Sequence, residues 1–119
     1  MGLLNGVLRG VAGVGVMALI GKLVNEHGGM EGMLGTLRDK GLAGAVGSWM
    51  GPGQNESVTA DQMRNAFGQE KIESLAKSTG MTQDEVSSQI ATTLPTVVDR
   101  LTPEGYLPEE NPFEDKNAE

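Results

Sequence analysis

The sequence predicts a small all-α domain, and three of its features support that prediction. Apolar residues recur at intervals of three and four, which is the spacing of one helix face. Two segments, 59–62 and 82–85, fit the capping box S/T-x-x-E/Q that marks a helix N-terminus. No segment sustains the alternation of apolar and polar residues that is typical of half-buried strands. We therefore expect several short helices packed around one core.

Composition and charge divide the chain into two parts and a tail. The 119 residues are enough for one ordinary domain, which we place at 1–107. Of the 18 glycines, 15 lie within 1–53, so we expect glycine-rich helices there and a three-helix cluster over 59–101. Residues 55–119 carry five basic and 13 acidic side chains, against four and three before them. The end of the chain, 108–119, is expected to be a solvated acidic tail.

The first predicted helix belongs to the segment 1–29. It opens with a stripe of apolar side chains at helical spacing, formed by Leu3, Leu4, Val7, Leu8, Val11 and Val14. From Val14 to Ile20 the chain is apolar or glycine on every face, which is typical of a buried helix. The apolar stretch 10–21 is too short for a bilayer span, which takes about 20 residues. Because Lys22 stands where a signal-peptide cleavage site would be expected, a buried helix is the favoured interpretation.

Glycine spacing at the start of this helix indicates a possible contact face. Gly2, Gly6 and Gly10 stand four residues apart, which puts three bare patches on one side of a helix. A second helix can approach such a face closely, and the same spacing is an association motif between membrane helices. In a segment this rich in glycine, tight packing within the domain or chance spacing is the alternative explanation.

Two short helices bounded by glycines are expected next, over Met30–Leu37 and 42–50. The first has an apolar face formed by Met30, Met33, Leu34 and Leu37. Gly41 is expected to stop it, because glycine is the residue that helix C-termini favour. The sequence Gly51-Pro52-Gly53 breaks the second helix and begins a loop over 51–58.

The second half predicts three helices with well-defined ends. They are expected over 60–67, over 69–79 and from Gln83 onward, ending in a turn at 102–105. Pro95 interrupts the last helix, so we expect a kink or two abutting helices there. The residues expected to face inward are Met63, Ala66 and Phe67, then Ile72, Leu75 and Ala76, and finally Val86, Ile90, Leu94, Val97 and Leu101.

Composition excludes most catalytic chemistry. The chain has no cysteine and one histidine, which excludes disulfides, zinc–thiolate sites, cysteine nucleophiles and multi-histidine metal sites. His27 lies near a helix end and is expected to be structural or solvent-exposed. The pattern Gly13-x-Gly15-x-x-Ala18 lacks the βαβ unit that a dinucleotide site needs. We therefore expect no enzyme activity and predict no catalytic, cofactor-binding or metal-binding residues.

Residues 76–90 have the spacing of a helix-turn-helix. A small residue, a glycine turn, a cap and two inward aliphatics occur at Ala76, Gly80, Thr82, Val86 and Ile90. With the preceding helix, this predicts a homeodomain-like three-helix cluster. The would-be recognition helix, 83–93, holds two acids and no lysine or arginine. Since phosphate contacts supply much of the affinity for DNA, a packing scaffold is the favoured interpretation.

The chain resembles the YidB-like family of uncharacterised bacterial proteins over about 2–108. The resemblance lies in three segments, GLLNGVLRG, GLAGAVGSWMGPGQNESVTADQM and LAKSTGMTQDEVSSQIATTLPTVVDRLTPEGYLP. It implies an all-helical, homeodomain-like fold and a bacterial cytoplasmic setting, and it brings no catalytic residue. It also directs attention to two motif regions, which contain Ser48, Trp49, Gly53 and Asn55, and Leu94, Pro95, Asp99 and residues 102–105.

Structural roles are the simplest explanation for two of these motif residues. Trp49 stands at a helix end before a glycine turn, so we expect it to close the core rather than to form a ligand platform. Asn55-Glu-Ser57 matches the N-glycosylation pattern, a tripeptide that is common by chance. In a polar loop, Asn55 is expected to hydrogen-bond its own backbone.

The function that fits these observations best is that of a non-enzymatic helical module of unknown cellular role. It would act by protein–protein interaction or self-association through its glycine-rich N-terminal half. One alternative is a DNA-binding helix-turn-helix protein, although a net charge of −7 argues against nucleic acid as a partner. The other is peripheral membrane attachment through 3–24, where only Arg9 and Lys22 supply positive charge. The expected location is the cytoplasm.

Overall fold

The computed structural model describes residues 14–105 and residue 107. Over these residues the chain is all α and forms six α-helices. They are α1 (Val14–Glu26), α2 (Met30–Leu37), α3 (Ala43–Met50), α4 (Ala60–Phe67), α5 (Gln69–Thr79) and α6 (Gln83–Leu101). The stripe predicted over residues 3–11, the glycines at 2, 6 and 10, and the acidic tail at 108–119 lie outside the described residues. The extent of the domain, 1–107, stays a prediction.

The last helix, α6, is the centre of the fold, because it packs against α1, α3, α4 and α5. Buried apolar side chains from all six helices join in one core. The largest fully buried side chains are those of Trp49, Leu19, Ile20, Leu23, Met33, Leu34, Leu37, Met63, Ile72, Leu75 and Ile90. The glycine-rich helices and the three-helix cluster therefore share one hydrophobic core.

The first helix is buried on one face only, and this corrects the expectation of an all-round buried helix. Leu19, Ile20 and Leu23 have no exposed surface, whereas Gly15 and Ala18 face solvent. The reason is that α1 lies against α2, α5 and α6 on one side of the domain. The solvent side of α1 carries small uncharged residues such as Gly15 and Ala18, so the sequence is apolar on that face although the face is exposed.

The helices α2 and α3 begin and end close to their predicted bounds. The four residues expected to form the apolar face of α2 are all buried. The link between the two helices, Arg38–Leu42, is a wide turn in which the backbone leaves the helical conformation. Gly41 lies in this link with a φ of +90°, a conformation that favours glycine, and it breaks the helical path between α2 and α3 as predicted. After Met50 the chain enters the predicted loop.

Both capping boxes are present. The side-chain oxygen of Thr59 accepts a 3.1 Å hydrogen bond from the Gln62 N–H, and the Gln62 side chain accepts a 2.8 Å bond from the Thr59 N–H. Thr82 and Glu85 make the same pair of bonds, at 3.0 and 2.8 Å. Each box satisfies two N–H groups that a helix N-terminus leaves without partners.

The helix α6 runs continuously through Pro95, so the alternative of two abutting helices is wrong. A proline has no N–H, and the carbonyl of Ala91 therefore lacks its usual partner within the helix. Pro95 itself is buried. Of the inward stripe predicted for this helix, Val86, Ile90, Leu94 and Val97 are buried and Leu101 is partly buried.

Candidate functional site

The structure forms the predicted helix-turn-helix at 76–90. Ala76 is 8% exposed, and Val86 and Ile90 are fully buried. Gly80 has a φ of +73° and ends α5 in the left-handed conformation. Together with α4, these residues form the homeodomain-like cluster that the spacing predicts.

The solvent side of this cluster carries acids near the start of α6. Arg64 pairs with Asp61 at 2.6 Å and also with Asp84, so this cation is already engaged by two carboxylates. Gln83, an amide in the first turn of α6, accepts a hydrogen bond from the Gln69 side chain. The first turn of a DNA-reading helix usually presents cations or free amides, whereas the first turn of α6 holds Asp84 and Glu85.

His27 has a structural position. Its Nδ1 lies 2.7 Å from the carbonyl oxygen of Leu23, and since a carbonyl only accepts, Nδ1 is the donor. The imidazole ring also meets the edge of the Phe67 ring, with 5.2 Å between centroids and 67° between planes. The histidine thus donates a hydrogen bond to a backbone carbonyl near the end of α1, and its ring packs against Phe67 of α4.

The carboxylate of Glu26 is held by two lysines. Lys71 of α5 lies 2.7 Å away and Lys22 lies 3.8 Å away within α1. The hydrogen bond from Lys71 lowers the pKa of the Glu26 carboxyl, with further lowering by the charges of Lys71 and Lys22. The pair links two helices at the surface and is a structural contact. Across residues 14–105 and 107, no three His, Asp or Glu side chains are grouped so that they could hold a metal ion.

The first motif region anchors the loop after α3. Trp49 has no exposed surface, so it closes the core as predicted. Its Nε1 donates a 2.8 Å hydrogen bond to the Glu56 carbonyl, and the Glu56 N–H donates a 2.9 Å bond to the Ser48 hydroxyl. Two adjacent side chains of α3 therefore fix both backbone polar groups of one loop residue.

The second motif region meets the first through Asn55. Its Nδ2 donates a 3.5 Å hydrogen bond to the carbonyl of Pro95 in α6, forty residues away in sequence. The expectation that Asn55 bonds its own backbone is therefore wrong. Its Oδ1 is buried and accepts no hydrogen bond within the described part of the chain. The reason for the difference is that the loop 51–58 lies against α6, where the amide finds a carbonyl in reach.

The two motif regions enclose an open cleft of about 710 Å³. One wall comes from the end of α3 and the turn after it, and the other from the end of α6 and the turn that follows. Its lining residues are Gly47, Met50, Gly51, Pro52, Gly53, Asp99, Thr102, Pro103, Glu104 and Gly105. Of the residues singled out by the sequence, Gly53, Asp99 and residues 102–105 line the cleft, whereas Ser48, Trp49, Asn55, Leu94 and Pro95 do not.

The cleft is lined by two carboxylates, by glycine and proline residues, by one threonine and by the thioether side chain of Met50. Asp99 and Glu104 are the charged lining residues, and no basic residue lines the cleft among those described. Met50 is partly buried and presents a thioether, which adapts to irregular apolar partners. The sequence missed Gly47 and Met50 as members of the site. The spacing of apolar residues marks only buried faces, and these two residues lie at the rim.

The glycines inside α2 and α3 fall into two kinds. A Cβ atom at Gly32 would lie 1.8 Å from the carbonyl oxygen of His27, so the fold itself requires glycine there. At Gly35, Gly44 and Gly47 a Cβ would meet no atom of the described residues within 4 Å. A helical glycine costs about 0.5–1 kcal/mol relative to alanine, and packing among residues 14–105 gives no reason for these three. Gly44 and Gly47 lie on one exposed face of α3, which we call the glycine face.

The comparison with protein families decides the membership of the chain. The model of the YidB-like protein family matches residues 1–110. The chain belongs to the YidB-like family. The family membership agrees with the resemblance seen in the sequence and extends over the cleft and both of its motif regions.

One relative is similar to this chain in sequence, and one solved structure is similar to it in fold. The uncharacterised protein YidB of Escherichia coli (strain K12) is 32% identical over 85 residues, which are 71% of this chain and 64% of that relative. The match thus spans somewhat less than two thirds of the relative's length. A homeodomain-like protein of unknown function from Shigella flexneri has a solved structure with a TM-score of 0.75 and 28% identity. That match covers 93% of this chain and 87% of the other.

These relatives are described as uncharacterised or of unknown function, so the comparisons assign no activity to the cleft. Within the part of the chain that the structure describes, no helix has the combined length and apolar character needed to cross a membrane.

Proposed function

We propose that this YidB-like protein is a non-enzymatic helical module. It acts by protein–protein association, including self-association, through its glycine-rich N-terminal half. The observation that supports the proposal is the glycine face of α3, where a Cβ at Gly44 or Gly47 would have no neighbour within 4 Å in the part of the chain that the structure describes. A helical glycine without an internal contact costs stability, and close approach of a second protein surface is a physical reason to keep it.

The sequence before α1 supports the same proposal. Gly2, Gly6 and Gly10 have the four-residue spacing of a helix contact face, and the apolar residues between them are at helical intervals. Apolar side chains of this kind favour burial against a partner, because the removal of apolar surface from water lowers the free energy. Both glycine sets fall within 1–53, the part of the chain with little net charge.

Light scattering after size exclusion over a range of concentrations tests the proposal. The full chain is compared with two variants, Gly2→Leu/Gly6→Leu/Gly10→Leu and Gly44→Leu/Gly47→Leu. We expect the wild type to form a larger species as its concentration rises, and both variants to shift toward the monomer. Leucine at these positions adds bulk where the partner must approach closely.

A matched control adds the same apolar bulk elsewhere. Ser88→Leu/Thr92→Leu places two leucines on the exposed face of α6, and we expect this variant to associate like the wild type. A wild-type chain that stays monomeric throughout would remove self-association from the proposal. Association with another protein would then be tested by pull-down with the wild type and the glycine-face variant.

The proposal includes a cytoplasmic location and no use of the helix-turn-helix for DNA. The acids beside Gln83 support the second point, since they repel phosphates. Passage over immobilised duplex DNA at about 50 mM salt tests it, because salt only weakens phosphate contacts further. Retention of the protein there would make the DNA-binding alternative the better one.

Flotation with liposomes tests the remaining alternative, attachment to a membrane through residues 3–24.

A further inference from the structure

The path of the chain from α2 to α3 depends on the backbone of one residue. Within the link Arg38–Leu42, the angles leave their helical values at Lys40 (φ −97°, ψ 17°), at Gly41 (φ 90°, ψ 13°) and at Leu42 (φ −109°, ψ 23°). Lys40 and Leu42 keep a negative φ in the bridge region, close to the helical one. Among these three, only Gly41 has a positive φ. A helical conformation at Gly41 would therefore let α2 and α3 join into one helix over 30–50, about 32 Å long.

The start of α3 is compatible with such a straight helix. Leu42 precedes α3 and its side chain makes no capping hydrogen bond among the described residues. The first N–H groups of a helix need acceptors, and upstream carbonyls supply them when the helix is continuous. The turn between α5 and α6 differs, although Gly80 has similar angles, with φ 73° and ψ 17°. There Thr82 and Glu85 form a capping box that fixes the start of α6.

The apolar faces of α2 and α3 would point in different directions on a straight helix. The face of α2 is formed by Met30, Met33, Leu34 and Leu37, and that of α3 by Ala45, Val46 and Trp49. At about 100° per residue, the centres of the two faces are about 120° apart. The bend at Gly41 turns both faces toward the same core. A straight helix would instead present the face of α2 to a second body.

The helices α1 and α2 form a unit that rests on the remainder of the fold. They contact each other, and they also meet α4, α5 and α6. The contact is mainly apolar, and Leu19, Leu23 and Leu34 have no exposed surface. Exposing such side chains to water is unfavourable, so α1 and α2 can leave their own core only where an equivalent surface receives them. A second copy of this chain has that surface.

An exchange of α1 and α2 between two copies would also give the glycine face a neighbour. In a symmetric exchange the two linking segments pass each other near the two-fold axis, so residues close to the link form a new contact. Gly44 and Gly47 follow Gly41 by three and six residues, within two turns of a straight helix. Both are exposed in the single chain, and glycine lets two helix backbones approach closely.

From these relationships we infer that Gly41 is a hinge and that two copies of this chain exchange α1 and α2 to form a dimer. Each copy keeps its own α3–α6 and is covered by α1 and α2 of the other. The contacts of α1 and α2 with α4, α5 and α6 are thus kept, and the ion pair of Glu26 and Lys71 forms between copies. The inference rests on the proposed self-association and specifies how the two copies join.

Substitution at the hinge tests the conformational step. Gly41→Ala disfavours a positive φ and favours a helix, so the dissociation constant of the dimer should fall by at least about tenfold. Gly41→Asn is the matched control, because asparagine tolerates the left-handed conformation, and its dimer should stay within about threefold of the wild type. Gly80→Ala strains the capped turn in the same way and should lower stability without promoting dimers. Analytical ultracentrifugation of the full chain measures the association.

Cross-linking distinguishes an exchange from side-by-side association, and the natural chain has no cysteine to interfere. In Glu26→Cys/Lys71→Cys, a short bis-maleimide joins two positions that face each other between α1 and α5. In an exchanged dimer these positions lie on different copies, so denaturing electrophoresis should show most of the linked protein as covalent dimer. Without exchange the link stays within one chain. Glu73→Cys/Lys77→Cys is the control, because these exposed positions lie one turn apart on α5 and link within a chain in either case.

The outcomes separate the exchange from the proposed function. A dimer whose cross-links stay within single chains would leave self-association standing and overturn the exchange. A Gly41→Ala chain that is folded by circular dichroism but no more dimeric than the wild type would overturn the hinge. If Gly41→Ala does not fold, wild type refolded from urea at high concentration takes its place, and links confined to single chains there would overturn the exchange. A monomer in every case would overturn both proposals. Links between copies, together with the tighter dimer of Gly41→Ala, would support the inference.

Discussion

The indole of Trp49 holds the carbonyl of Glu56, seven residues later, through a hydrogen bond of 2.8 Å. The neighbouring Ser48 hydroxyl accepts a bond from the N–H of the same residue at 2.9 Å. The loop after α3 is therefore tied to the helix by two consecutive side chains. Since Gly51, Pro52 and Gly53 of this loop form one wall of the cleft, the tie also fixes the shape of the cleft.

Replacing Trp49 should loosen the loop and the core together. Trp49→Phe removes the Nε1–H donor and leaves unfilled volume in a fully buried position. We expect a loss of about 2 kcal/mol in the free energy of unfolding, from lost packing and one lost hydrogen bond. Urea unfolding followed by circular dichroism measures it, because the variant no longer has a tryptophan to report by fluorescence. A variant as stable as the wild type would contradict the anchoring role.

Because Ser48 and Trp49 both hydrogen-bond the backbone of Glu56, we expect their contributions to stability to be coupled. Ser48→Ala alone should cost about 1 kcal/mol, which is typical of one hydrogen bond. Because both side chains hold Glu56, the double variant should lose measurably less than the sum of the two single losses. Strict additivity in urea unfolding would show that Ser48 and Trp49 act independently.

The contact between Glu26 and Lys71 predicts a pH-dependent contribution to stability. The pKa of Glu26 is lower in the folded chain, mainly through the hydrogen bond from Lys71. A lowered carboxyl pKa stabilises the fold above the unfolded-state value of about 4.3, and the gain is lost as pH falls through the folded pKa. The pair has side-chain exposures of 33% and 29%, so solvent screening leaves about 0.5–1 kcal/mol.

Glu26→Gln tests this linkage. Its stability should be below that of the wild type at neutral pH, and the two should converge as the solution is acidified below about pH 4. Thermal unfolding across this pH range measures the difference, with Glu73→Gln on the exposed face of α5 as the control. A difference that stays constant with pH would show that the carboxylate charge is not the cause.

The helix ends of the second half were predictable because their signals are local. The capping boxes at Thr59 and Thr82 and the glycine at 80 act within four residues, and the structure places helix ends at all three. The inward stripe of α6 was incomplete, since Ser87 and Val98 are also buried. That helix contacts four others, and a periodicity rule assumes that one face alone is covered.

The candidate site was harder to predict because it depends on contacts between distant segments. The sequence singled out Asn55 and Pro95 but assigned Asn55 a local hydrogen bond. Their contact arises only when the loop lies across α6. The burial of α1 was overestimated for a related reason, because Gly15 and Ala18 are small enough to tolerate either solvent or core. Side-chain type then gives no information about which side faces water.

Loss of one capping box should destabilise the fold by a predictable amount. Thr82→Ala removes the acceptor for the Glu85 N–H at the start of α6 and should cost about 1 kcal/mol. Thr82→Ser keeps the hydroxyl and should retain most of the stability. Thr92→Ala, on the exposed middle of the same helix, should change stability by no more than about 0.5 kcal/mol. Chemical unfolding measures the free energy of unfolding of the three variants. Equal losses for Thr82→Ala and Thr92→Ala would contradict the role of the capping box.

The glycines of α2 and α3 give a prediction in which stability and association change in opposite directions. The methyl groups added by Gly44→Ala and Gly47→Ala would meet none of the described atoms within 4 Å, so each should stabilise the monomer by about 0.5–1 kcal/mol. Gly32→Ala should destabilise it, because its Cβ would lie 1.8 Å from the His27 carbonyl oxygen. If the glycine face serves association, the two stabilised variants should also associate more weakly, since each added methyl holds the partner backbone away. Thermal unfolding in dilute solution and light scattering at high concentration measure the two effects on the same samples. Stabilisation without any loss of association would mean that the glycine face is not a contact surface.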